Sequence, residues 1–227
     1  MFQGKRVSAL LLAGGSGSRF QASGNKVYSE LLGRQLIEYS WEILQSEALV
    51  DELVLVIRKG EENEAARLSG PKPCRIVAGG AERKDSVRAG LAAVTGDFVL
   101  IQDAARPLLE HRFIRDCLDA AVQCPGVSVA VPSKDTVKLS DRAGRVVMTT
   151  DRRNTWIVQT PQCFETALLR RLHEQAGSDP SITDDCMLLE KAGYPVQLVM
   201  GAYTNIKVTT PEDRLLAEAF LRARQLP

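Results

Sequence analysis

The segment Gly14-Gly15-Ser16-Gly17-Ser18-Arg19 closes an apolar run that ends at Leu12, and Lys26 follows seven residues after the arginine. A glycine-rich turn after a strand turns backbone N–H groups toward a ligand, and such groups cradle phosphate oxygens. An arginine and a lysine beside it add fixed positive charge. The chemistry indicated is handling of a phosphorylated compound, and three templates compete for it. A P-loop needs GxxxxGK[ST], and no Lys-Ser/Thr follows Gly17. A dinucleotide fingerprint needs GxGxxG. Gly15-Ser16-Gly17 supplies its first half, but Phe20 occupies the third small position. The strand-like run Leu53–Ile57 is followed by Arg58, where a ribose-binding acid is needed. The third template is a nucleoside triphosphate loop of the form GGxGxR with a downstream lysine. Its plain alternative is a turn that needs glycine for positive φ, flanked by two solvated cations.

A second chemical group stands at Asp103, directly after the apolar run Phe98–Gln102. Ligands of open parallel sheets bind beyond the carboxyl ends of strands. A carboxylate there suits Mg²⁺, which takes oxygen from one or two carboxylates and from substrate phosphates. It suits a turn or helix cap equally well. Only His111 and His173 could serve as imidazole bases or ligands, and neither has a second ligand type at metal spacing. The five cysteines, at 74, 117, 124, 163 and 186, are odd in number and contain no CxxC pair. That usage argues against a disulfide framework or a zinc site and predicts a reducing cytoplasm. With 29 basic and 28 acidic residues the net charge is +1, so nothing draws the chain as a whole to nucleic acid or an anionic membrane. The N-terminus lacks a secretory apolar region, and no apolar run reaches the ~18 residues of a membrane helix.

The elements that must position these groups alternate along the 227 residues. Short β-branched runs predict strands at Val7–Leu12, Leu53–Ile57, Arg75–Val77, Phe98–Gln102, Ser128–Val131, Val196–Val199 and Ile206–Val208. Apolar residues at three- and four-residue spacing predict helices at Ile37–Leu44, Val87–Val94, Phe113–Val122, Thr166–Glu174, Asp184–Lys191 and Pro211–Arg224. The last helix carries a start signal, Thr210-Pro211-Glu212-Asp213. Such alternation predicts an α/β fold, a three-layer α/β/α sandwich around a mostly parallel, Rossmann-like sheet. The polar stretch Ser133–Asn154 interrupts it. "TVKLS" and "RVVMTT" flank the turn "DRAG", which predicts a β-hairpin protruding as a flap or an oligomer arm.

With these residues in view, the chain resembles the 2-C-methyl-D-erythritol 4-phosphate cytidylyltransferases, within the wider nucleotidyltransferases that carry a GGxGxR-type loop. The resemblance spans nearly the whole chain and rests on motifs in order: "LLAGGSGSRF" with Lys26, "GGAERKDSV" at 79–87, "DAARP" at 103–107, "KDTVK" at 134–138, "DRRNTWIVQTPQCF" at 151–164, "SITDD" at 181–185 and "NIKVTTPED" at 205–213. It implies one nucleotidyltransferase domain over 1–227, with 133–154 as the arm of a homodimer. It implies transfer of CMP from CTP to 2-C-methyl-D-erythritol 4-phosphate, with Mg²⁺ and release of diphosphate, in non-mevalonate isoprenoid synthesis. By the same resemblance Arg19, Lys26 and Lys207 are catalytic. Ala13, Gly14, Gly15, Gly80 and Ser86 bind the nucleotide. Arg106, Thr136, Arg152 and Thr183 bind the acceptor, Arg152 from the partner subunit, and Asp103 takes the metal. Ser86 has a plainer reading as a residue of a helix N-terminus. Rivals are a ribitol 5-phosphate cytidylyltransferase and a non-catalytic nucleotide-binding regulator on the same fold.

Four positions depart from the family pattern: Asn25 where proline usually precedes the lysine, Ala81, Gln102 before Asp103, and Thr204 before "NIK". The missing proline is expected to loosen the backbone ahead of Lys26, so that Asn25→Pro should preserve or improve activity.

Overall fold

The computed structural model describes residues 1–14, 24–177, 179 and 182–224. The chain opens with β1 (Val7–Leu12), the small pair β2 (Glu30–Leu31) and β3 (Arg34–Gln35), and α1 (Leu36–Ser46). Next come β4 (Glu52–Ile57), α2 (Glu62–Ala65), β5 (Cys74–Ala78), α3 (Arg83–Ala93), β6 (Phe98–Asp103), α4 (His111–Ala121) and β7 (Gly126–Pro132). The hairpin β8 (Lys138–Ser140) and β9 (Val146–Thr149) precedes β10 (Trp156–Glu165), α5 (Thr166–Ala176), α6 (Cys186–Lys191), β11 (Val196–Met200) and α7 (Pro211–Arg224).

Among the described residues, seven strands form one sheet in the order β11-β7-β10-β6-β1-β4-β5. All neighbours are parallel except β10, which runs antiparallel to both β6 and β7. Successive side chains of a strand point to opposite faces, and the two cores follow that period. Val7, Ala9 and Leu11 of β1 and Leu53, Leu55 and Ile57 of β4 join a core with α1, α4 and α7. Leu10, Val54 and Val56 face α3, α5 and α6 on the other side. The predicted α/β/α layering is therefore observed. Helix α3 lies so close to the sheet that a Cβ on Gly90 would press on Leu10 and come within 2.9 Å of Val56 Cγ2.

Both predicted flanks of the hairpin pair as expected. Asp141 Oδ1 accepts from the backbone of Ala143 and Arg145, each at 2.9 Å, and Gly144 takes the positive φ that closes the turn. The start of α7 also forms as read: Thr210 Oγ1 accepts from Asp213 N while the Asp213 carboxylate accepts from Thr210 N at 2.9 Å, a reciprocal cap. One expected strand does not form, and one strand goes unread. Ile206–Val208 is not a strand. Its backbone is tied by separate bonds, such as Val208 N to Ala105 O at 2.8 Å, rather than by a ladder. Conversely, β10 escapes the reading of periodicity, because Pro161 and the polar Gln159-Thr160 pair interrupt its alternation. The structure puts them where the register shifts, between Val158 and Gln162, and the Thr160–Pro161 bond is cis.

Candidate active site

The nucleotide half of the expected site collects beyond the carboxyl ends of β1, β4 and β5. Ala13 continues from β1 and donates its N–H to Val56 O at 2.7 Å. At Gly14 a Cβ would stand 3.5 Å from the Ile57 carbonyl and 3.7 Å from Ser86 Oγ. Gly80 follows β5, and its N–H donates to Ser86 Oγ at 3.2 Å; a side chain on Gly80 would overlap Asp85. Helix α3 is started by a capping box between Glu82 and Asp85. Ser86 is thus not its cap but a buried residue one turn in, holding the Gly80 amide. Ala13, Gly14, Gly80 and Ser86 are brought together. Gly15 and Arg19 lie outside the described residues.

Lys26 opens a 3-10 turn, Lys26–Tyr28, whose cap is Asn25. The structure reverses the expectation of a loose backbone there. Asn25 is 9% exposed, and its Nδ2 donates to Ala13 O at 2.6 Å and to Glu61 Oε2 at 3.0 Å. Its Oδ1 accepts from Val27 N at 3.4 Å.

The second half is a cluster of cations around Asp103, at the end of β6 and level with Leu12 of β1. Lys207 Nζ lies 2.8 Å from Asp103 Oδ2, Arg106 Nε 3.7 Å from the same oxygen, and Arg83 Nε 3.9 Å from Oδ1. Burial alone would raise the Asp103 pKa. Lys207, Arg83 and Arg106 outweigh it and hold the carboxyl well below the usual range. For Arg83 burial works against the charge, but Asp185 and Asp103 outweigh it and raise its pKa. Asp185 accepts from Arg83 Nη1 at 2.6 Å and contacts His173 Nε2 at 3.0 Å. The cations Lys207, Arg106 and Arg83 therefore face the carboxylates Asp103 and Asp185.

The scaffold beneath this cluster comes from the irregular part of β10. Thr160 Oγ1 accepts from Asp103 N at 3.1 Å, and Thr160 O accepts from Asn205 Nδ2 at 3.0 Å. The Asn205 carbonyl takes Arg106 Nη1 at 2.8 Å. Arg106 is therefore largely buried and anchors the segment that carries Lys207. Gln102 is fully buried, with its Nε2 on the Asp103 carbonyl at 3.1 Å. Arg83, Thr160, Asp185 and Asn205 had no role assigned from sequence. Each sits inside a motif, but its partner is far along the chain.

The remaining acceptor residues are exposed, Thr136 and Arg152 on the hairpin segment and Thr183 ahead of α6. Arg153 is engaged by its neighbour Asp151, with Nη2 2.7 Å from Oδ2, whereas the Arg152 side chain has no partner among the described residues. For a divalent cation, the described residues hold no group of three or more potential side-chain ligands. Asp103 offers a single carboxylate, whose Oδ2 is engaged by Lys207 at 2.8 Å while Oδ1 faces the Arg83 guanidinium at 3.9 Å. That set fits Mg²⁺, which is commonly held by one carboxylate together with phosphate oxygens and water.

Comparison with known proteins identifies the family. The family model described as 2-C-methyl-D-erythritol 4-phosphate cytidylyltransferase matches residues 7–223. A protein of that name from Pelotomaculum thermopropionicum is 40% identical over 97% of this chain and 96% of its own. The crystal structure of 4-diphosphocytidyl-2C-methyl-D-erythritol synthase from Anaerococcus prevotii has a TM-score of 0.86 at 32% identity, covering 96% of this chain and 99% of the other. The Thermus thermophilus cytidylyltransferase superposes with a TM-score of 0.75 at 30% identity, over 94% of this chain and 98% of its own. A match that begins with the first strand and ends in the last helix makes this chain a member of the 2-C-methyl-D-erythritol 4-phosphate cytidylyltransferase family.

Proposed function

We propose that this protein transfers CMP from CTP to 2-C-methyl-D-erythritol 4-phosphate and releases diphosphate, a step of non-mevalonate isoprenoid synthesis. The observation that carries the reading is the adjacency of two features. Small residues gather past β1, β4 and β5, and a cation-rich cluster lies next to them at the end of β6.

The acceptor is a phosphate monoester with a second pKa near ~6, so at neutral pH it is mostly a dianion and needs no strong general base. Its oxygen attacks the α-phosphorus of CTP, the bond from that phosphorus to the bridging oxygen breaks, and the electron pair leaves with diphosphate. The obstacle is repulsion between two polyanions. At ~4 Å each pair of unit charges costs about 4 kcal/mol at an effective dielectric of ~20, so the site must supply cations. Lys26 and Arg19 neutralise the leaving diphosphate. In the free protein Lys207 is held by Asp103, and it turns to the incoming phosphoryl group when substrate charge competes for it. When bound with the nucleotide, Mg²⁺ held by Asp103 supplies further charge neutralisation on the phosphates. Ala13, Gly14, Gly15, Gly80 and Ser86 contact base and ribose; Arg106, Thr136, Thr183 and Arg152 serve the acceptor.

The functional unit is a homodimer. Leu139, Val146, Val147 and Met148 of the hairpin and Ile157 and Val158 of β10 are 41–71% exposed. A two-stranded hairpin is marginal by itself in water, and apolar side chains on both its faces need a cover, for which a second copy is the natural candidate. Five unpaired cysteines suit a reducing cytoplasm. No helix among the described residues is long and apolar enough to cross a membrane. The test is diphosphate release by the purified protein with CTP, Mg²⁺ and either acceptor. Release with methylerythritol phosphate is expected. Release only with ribitol 5-phosphate would move the acceptor, and CTP binding without release would replace the enzyme by a regulator.

A further inference from the structure

We infer that Asn25 is a positioning residue that sets Lys26 against the end of β1 for nucleotide binding, with Glu61 as its anchor. The inference rests on the proposed use of CTP and concerns a position where this chain differs from its family's usual proline.

Three segments converge on the Asn25 side chain. Its two amide hydrogens go to the carbonyl of Ala13, the last residue before Gly14, and to Glu61 Oε2 in the segment after β4. Its oxygen takes the Val27 N–H, which fixes the turn that begins at Lys26. Glu61 is itself fixed, since Oε2 accepts from Arg58 N at 3.1 Å. The amide is fully used, with both donors and the acceptor engaged. Asn25 is buried, so losing its donors takes the side-chain partner from the Ala13 carbonyl and breaks the link to Glu61, whose Oε2 keeps the Arg58 N–H. Proline restrains the backbone through φ alone. Asn25 already has φ −82°, so a proline would fit the backbone but could make none of these bonds. The clamp joins Ala13 and Asn25, the residues flanking the segment 14–24, and Lys26 follows Asn25 directly. A displacement of the lysine by an ångström is enough to forfeit its contact with a leaving phosphate.

The test compares wild type, Asn25→Pro, Asn25→Asp, Glu61→Gln and the Asn25→Asp/Glu61→Gln double variant. CTP affinity is read by titration calorimetry, and KM is measured for each substrate. Asn25→Pro and Asn25→Asp should weaken CTP binding by roughly tenfold or more, with KM for the acceptor unchanged. In the aspartate variant two carboxylates face each other. The added Glu61→Gln restores a donor between them and should recover part of the loss. Folded Asn25→Pro and Asn25→Asp proteins that bind CTP within about twofold of wild type would overturn the inference, as would equal weakening of both substrates, which a merely structural residue produces. If wild type itself binds no CTP, the proposed function falls and takes this inference with it. Unchanged affinity in the variants overturns the inference alone.

Discussion

Asp103 is the anion on which three cations of the described site converge. It is 7% exposed and faced by Lys207, Arg83 and Arg106. Replacing it by asparagine leaves those cations without their shared anion. Breaking a buried ion pair from one side costs several kcal/mol, and part of the charge here can turn to solvent through the 39%-exposed Lys207. Asp103→Asn should therefore lower stability by roughly 2–4 kcal/mol at neutral pH, read as a fall in urea midpoint with little change of slope. The acid behaviour follows from linkage. A carboxyl whose pKa is depressed by folding contributes stability that is full above its unfolded value, about 3.9, and is lost as pH falls toward the folded one. The gap between wild type and Asp103→Asn should narrow below about pH 4; a gap independent of pH from 6 down to 2.5 would remove the charge argument. A second expectation separates binding from chemistry. Lys207→Ala should lower kcat by roughly a hundredfold or more while CTP affinity changes by only a few-fold, in steady-state and titration measurements, because a cation aimed at developing charge acts mainly in the transition state. At this scale Asp103 was legible because it directly follows an apolar strand. Arg83 was not, because the carboxylate that holds it, Asp185, is 102 residues further on, and no local pattern records a pairing over that distance. Asn25 was misread for a related reason: its backbone effect is local and familiar, whereas its bonds to Ala13 and Glu61 belong to the tertiary structure.

At the scale of elements, period and caps sufficed for all parallel strands of the sheet. Runs such as Val7–Leu12 and Phe98–Gln102 are buried on both faces, so their continuous apolar character matches their position in the sheet. The antiparallel strand β10 follows a different rule. Its outer part, Trp156–Val158, leaves Ile157 and Val158 exposed, while its inner part, Gln162–Phe164, is buried between β6 and β7. Gln159, Thr160 and Pro161 lie at the join. Gln159 and Thr160 are polar because they serve Asp103 and Asn205 rather than the ladder. The same distinction between local preference and packing decides a prediction for α3. By helix propensity Gly90→Ala should stabilise by about 1 kcal/mol. The added methyl would instead meet Leu10 and Val56, both fully buried and already packed between helix and sheet. Overpacking costs about 1–3 kcal/mol, so Gly90→Ala should destabilise on balance, with a lower melting temperature. A stabilised variant would mean that α3 can lift from the sheet at no cost. Such a lift would also carry Ser86 away from Gly14 and Gly80.

At the scale of the whole molecule, the positions of Lys26 and Arg152 lead to a quantitative expectation. Lys26 follows the segment joined to β1, among the nucleotide residues. Arg152 stands in an exposed 3-10 turn at the foot of the hairpin, without a side-chain partner among the described residues, beside the apolar surface proposed to meet a second copy. If each active site draws Lys26 from one chain and Arg152 from its partner, Lys26→Ala and Arg152→Ala are inactive for complementary reasons. Equimolar mixing with free subunit exchange puts about half of the dimers in the mixed form. One site of a mixed dimer then carries both substitutions and the other carries neither. The mixture should regain about one quarter of wild-type activity, although each parent is nearly inactive. Sites contained within one chain predict no recovery at all, because every site would retain one substitution. Subunit exchange must be verified on the same mixture, for example by a mass tag on one parent. With exchange complete and activity still absent, Arg152 would act within its own chain or not at all, and the hairpin would be an interface without a share in the chemistry. Arg153→Ala provides the contrast, since its guanidinium is already engaged by Asp151 on the surface. It should keep most activity as a single variant.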